Sequence, residues 1–237
     1  MDSPRASLAH PVERSRLYLG AALAATTVVF AGFAQAYYLR VLFQKPPLTL
    51  LLHAHGLVMT AWCALLLLQT SLVAARRSDL HRRAGVVGVA LAVLVVVTAA
   101  TVTISAAIRT AHDPRSDDIF FLGFNAAVLA LYSGFFGAGI AFRTRPDVHK
   151  RLMSLAALSL LPPAVGRIPL EFLHRDANAL IAFDVLVLAW VAIDTIRFRR
   201  LHLALAGGAA LMIVVVQAAF FVAASPQWDQ YWRRALG

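Results

Sequence analysis

A single cysteine, Cys63, in 237 residues excludes an intramolecular disulfide and any metal centre built from several thiolates. It lies inside an apolar run, where a cysteine is a small buried hydrophobe. Charge is also scarce. Asp, Glu, Lys and Arg make up 14% of the chain, against about 25% in a soluble domain, so an ordinary water-soluble globule is excluded. Strand patterning is missing too, because the apolar runs are too long and lack period-2 alternation.

What fills the chain is hydrocarbon. Hydrophobic residues are 60% of it and the mean hydropathy is +0.71. Several runs reach the roughly 20 residues that cross a bilayer. The fold class expected is an all-α integral membrane protein, a seven-transmembrane-helix bundle. The spans fall at about 17–39, 48–75, 84–108, 119–142, 152–173, 179–196 and 201–224. Ala34-Gln35-Ala36 mimics a signal-peptidase site, but the run from Leu17 is longer than a usual signal core and reads as an uncleaved first span. No linker of domain-separating length appears. The expected organisation is a tail over 1–16, a membrane domain over 17–224 and a C-terminal tail over 225–237.

Basic residues supply the orientation. The segments before span 1 and at 76–83, 143–151 and 197–200 carry 14 Lys and Arg, and the opposite side carries 7. That bias puts the N-terminus in the cytoplasm and the C-terminus outside, as in a multi-pass protein of the bacterial inner membrane. The net charge of +10 is spent in these short clusters. Membrane lipid is therefore the expected partner and nucleic acid is not. Pro162-Pro163 falls in mid-span 5 and predicts a kink or break.

Polar residues inside a membrane are costly, so each is a functional candidate. Seven of the eight histidines fall near span ends and form two layers: His53, His55, His112 and His174 outside, His81, His149 and His202 inside. On span 2, His55 shares a stripe with Met59, Trp62, Leu66 and Gln69, and is taken as inward-facing in preference to His53. On span 3, His81, Gly85, Gly88 and Ala92 form a stripe of small residues, suited to close helix packing or to a flat cofactor, with packing the commoner use. Span 5 carries His149, Met153, Arg167, Glu171 and His174 near one face. Arg167 and Asp184 lie at similar estimated depth, ~10 Å and ~9 Å from the outer ends of spans 5 and 6. They are predicted to form an interhelical ion pair, with Glu171 the rival partner for Arg167.

HGLVMTAW followed by LLLLQTSLVAARRSDLHRRAG resembles the core of the cytochrome b-561 superfamily, through His55, Met59, Trp62, Ala75-Arg76, His81 and Gly85. The match covers about 35 residues. The resemblance implies b-type haem held between histidines of two helices near each membrane face, and electron transfer across the bilayer. Span 4 departs from that family in having no histidine, so the ligand set implied is His55 with His174 outside and His81 with His149 inside. FNAAVLALYSGFFGAGIAFRTRPDVHKRLM is similar to small bacterial membrane proteins implicated in cytochrome oxidase maturation, through Asn125, His149, Lys150, Met153 and His174. That likeness implies a non-catalytic factor assisting a respiratory oxidase or haem protein, with a respiratory-chain or oxidase-assembly partner. A third class, a transporter or channel, would use Arg167, Glu171 and Asp184 as a polar path.

Overall fold

The computed structural model describes residues 11–168 and 176–236, whose regular structure is all helix. The chain runs through α1 (Pro11–Phe33), a π-turn (Ala34–Tyr38), α2 (Leu50–Ala74), α3 (Ser78–Thr110), α4 (Asp118–Ala141), α5 (Pro146–Ser159) and α6 (Pro162–Val165). It continues through α7 (Asp176–Phe198), α8 (Leu203–Ala223) and α9 (Pro226–Leu236). Among the described residues six helices are long and apolar enough to cross a membrane: 16–38, α2, α3, α4, 178–198 and α8.

Local chemistry sets several boundaries. Thr49 caps α2 by accepting from the Leu52 amide. Arg76 and Arg199 take positive φ, 59° and 56°, just past α2 and α7, a position usually given to glycine. The 33 residues of α3 measure ~50 Å, more than the ~30 Å of hydrocarbon. Its first turn therefore extends beyond the predicted span and carries His81.

The predicted fifth span is not one helix. Helix α5 ends at Ser159, and a separate turn, α6, begins at Pro162. Pro162 and Pro163 have no N–H to continue the ladder, which is why the helix stops there. The break is buried, with Leu161, Pro162, Ala164 and Val165 all inside. The C-terminal segment is a helix, α9, packed on the end of the bundle.

Helix α4 is central and packs against α3, α5 and α8. The core between them is apolar and aromatic. Trp62 lies edge-on to Tyr132 at 5.3 Å, and Tyr132 stacks with Phe136 at 5.9 Å. The two ends of the bundle differ in chemistry. One gathers the start of α1, the α2–α3 and α4–α5 turns and the α7–α8 turn, and is basic. At the other, Arg233 of α9 donates to the carbonyls of Thr110, Ala111, Asp113 and Ser116 in the α3–α4 connection.

Candidate histidine site and buried ion pair

His81 and His149 occupy the first turns of α3 and α5, helices that both start at the basic end. Their ring centres lie 6.3 Å apart with planes at 81°. His149 Nδ1 donates to Gly139 O at 2.7 Å, which leaves its Nε2 with a lone pair. Gln69 of α2, with its amide turned so that both ends are satisfied, donates to His81 O at 3.1 Å and His81 Nδ1 at 2.6 Å, and accepts from Gly85 N at 2.9 Å. In that state the His81 proton is on Nε2. His149 is held through Nδ1–H, the way an outer partner fixes a ligating imidazole, whereas His81 accepts at Nδ1 and carries its proton on Nε2.

Two imidazoles on opposite sides of one ion, with bonds of about 2 Å, have ring centres about 6 Å apart. The spacing of His81 and His149 meets that one requirement, and these are the residues that would hold a haem iron at this end. Arg82 and Lys150 lie beside the pair in sequence, cations of the kind that bind carboxylates. The small-residue stripe, by contrast, serves packing. A Cβ on Gly88 would meet Leu65 at 3.2 Å, and one on Gly85 would meet Gln69 at 3.8 Å. The seam between α2 and α3 is filled by α2, not by a cofactor.

At the other end, His55 is half-buried and its Nδ1 lies 3.1 Å from Thr98 Oγ1 on α3, whereas His53 is exposed. The choice of His55 over His53 as the inward residue is therefore matched by the geometry. His174 and Glu171 lie outside the described residues, and with them the His55–His174 pairing and the Glu171 role.

The predicted ion pair between Arg167 and Asp184 is corrected. Arg167 donates to Pro163 O at 2.7 Å, and its guanidinium sits over Phe33 at 5.2 Å and Phe121 at 5.6 Å. Asp184 accepts from Gln217 of α8 at 2.7 Å. Among the described residues no ion pair joins the two. Depth matching assumed a continuous helix through span 5, and the break at Pro162 turns Arg167 toward α1 and α4 instead.

The buried charge is elsewhere. Arg151 Nε donates to Asp194 Oδ2 at 2.8 Å, Nη2 lies 2.8 Å from the same oxygen, and both side chains are 0% exposed. Nη2 is close but too poorly angled to complete a hydrogen bond. Tyr18 donates to Asp194 Oδ1 at 2.7 Å, and Arg151 Nη1 donates to Asp147 O at 2.9 Å. Phe198 lies beneath the Lys150 and Arg151 cations, at 4.2 and 4.7 Å. On the surface, the Lys150 hydrogen bond, reinforced by the charges of Arg151 and Arg200, holds the Asp147 carboxyl below the usual carboxylate range.

This network ties α1, α5 and α7 together, whereas the sequence places Arg151 in a basic cluster without naming Asp194 as its partner. The signal was Asp194, an acid near a helix C-terminus, where the macrodipole disfavours negative charge unless a cation faces it. Comparison with protein-family models, curated proteins and solved structures finds no match for this chain.

Proposed function

We propose that this multi-pass membrane protein holds a b-type haem at its basic end through His81 and His149, and that it carries electrons at that face. The observation that carries the reading is the 6.3 Å spacing of two imidazoles from different helices, with His149 fixed through Nδ1–H. Iron bound there supplies a one-electron couple. The chain's own part is to hold both rings at that spacing. Gly139 O fixes the His149 tautomer with Nε2 free, and His81 faces it from the first turn of α3. The positive-inside bias supports a cytoplasmic position for this end. The reading commits to one haem at the basic end.

An absorption spectrum of the detergent-purified protein tests this. We expect a Soret band and a reduced α-band, lost in His81→Ala and in His149→Ala but retained in His55→Ala. A colourless protein from haem-replete cells, or a full Soret band in both ligand variants, overturns it.

A further inference from the structure

Asp184 lies eight residues into α7 and meets Gln217, six residues before the end of α8. That places the pair ~9–12 Å in from the ends of the two helices, at the end of the bundle opposite the histidine pair. Gln217 Nε2 donates to Asp184 Oδ2 at 2.7 Å, while Oδ1 is buried and has no hydrogen-bond partner. Among the described residues no cation reaches this carboxyl. From α8 the facing polar group is the neutral Gln217, and α6 (Pro162–Val165) carries no titratable side chain. On α7 itself the other acids are Asp176, eight residues before at the first position of the helix, and Asp194, ten residues on and already committed to Arg151 and Tyr18. An ionised carboxylate at membrane depth needs a cation or a full set of donors, and this one has a single amide.

We propose that Asp184 and Gln217 form an intramembrane proton-binding site, in which Asp184 is the carboxylic acid that takes up and releases the proton. Gln217 marks the oxygen that stays an acceptor, Oδ2, so the proton resides on Oδ1. The site is separate from the histidine pair and does not depend on what that pair binds.

The chemistry gives a direct probe. A hydrophobic carbodiimide partitions into the bilayer and reacts with protonated carboxyls. The acid O–H adds across one C=N bond to give an O-acylisourea, which rearranges to a stable N-acylurea. No atom leaves, and no oxidant or reductant is consumed. The experiment treats full-length protein in vesicles with dicyclohexylcarbodiimide, followed by peptide mapping by mass spectrometry, in wild type, Asp184→Asn and Gln217→Leu.

We expect one intact carbodiimide on Asp184, labelled faster as the pH is lowered, and no adduct at that position in Asp184→Asn. Gln217→Leu, which removes the donor favouring the ionised form, should label at least as fast as wild type. A water-soluble carbodiimide should instead modify the exposed carboxyls Asp79, Asp147 and Asp113, which checks that carboxyl chemistry is working. Absence of the hydrophobic adduct from Asp184 in folded protein, or labelling that does not change with pH, overturns the proposal.

Discussion

Arg151 and Asp194 stand 43 positions apart and close an ion pair with no exposure of either side chain. A pair so buried is costly to break from one side, because the partner is left charged and unsolvated. Arg151→Met alone should lower stability by about 3–5 kcal/mol. Arg151→Met combined with Asp194→Leu and Tyr18→Phe removes the ion pair together with the tyrosine bonded to it and should cost clearly less. Thermal unfolding in detergent, followed through Trp190 fluorescence, measures the difference. Costs that simply add across the three sites would show that the charges are not coupled.

Gly32 tests how tightly α1 is held against the break in span 5. A Cβ there would overlap the backbone carbonyl of Ala164, which cannot swing aside as a side chain can. Gly32→Ala should therefore force α1 away from α6 and cost about 1–3 kcal/mol or more. Gly20→Ala, where a Cβ meets nothing within 4 Å, is the matched control and should be neutral or slightly stabilising. Equal melting temperatures for the two variants would contradict the close approach.

Much of this architecture was legible from the chain. Long apolar runs gave the spans that α2, α4 and α8 occupy, and Pro162-Pro163 predicted the break between α5 and α6. That His81 and His149 lie near one another was legible because each opens a helix at the same end. Legibility failed where a residue's role depends on a partner distant in sequence. Arg151 looked like a loop cation because nothing local announces Asp194. Arg167 was assigned to Asp184 by depth alone, and depth does not say which way a broken helix turns. Helix α9 was missed because eleven residues are too few to cross a membrane, although Trp228 and Trp232 fall at helical spacing.

Helix α9 is stapled to the bundle by two residues. Trp228 donates to Ile119 O at 3.0 Å and covers Gly123, where a Cβ would lie 2.7 Å from the indole. Arg233 reaches the carbonyls of the α3–α4 connection and pairs with Asp229. Removing it leaves those carbonyls to water or lipid, at a cost of about 1–2 kcal/mol. Arg233→Ala should make the 111–117 segment protease-sensitive while the visible spectrum, if haem is bound, stays unchanged. Gly123→Ala should release α9 in the same assay by displacing Trp228. If neither variant is cut faster than wild type, α9 does not hold that connection.

His202 provides a pH-dependent cap. Its Nδ1 accepts from the Ala204 amide at 3.2 Å, closing the first turn of α8. Only an imidazole with a free Nδ1 lone pair can do this, so protonation removes the cap. Burial, with the nearby Arg151 and Arg200 charges, lowers the folded-state pKa below the ordinary 6.5. The unfolded chain therefore binds the proton more readily than the folded one. It follows that the contribution is fully present above about pH 6.5 and is lost as the pH falls through the lower folded value. A side-chain cap contributes on the order of 1 kcal/mol. His202→Asn retains a capping acceptor that does not titrate near neutrality. The wild type should thus lose stability relative to His202→Asn between about pH 7 and 5, whereas His202→Ala should be the less stable variant already at pH 8. Melting curves of the three proteins across that range decide the matter: a constant offset between wild type and His202→Asn would mean that His202 does not titrate as a cap.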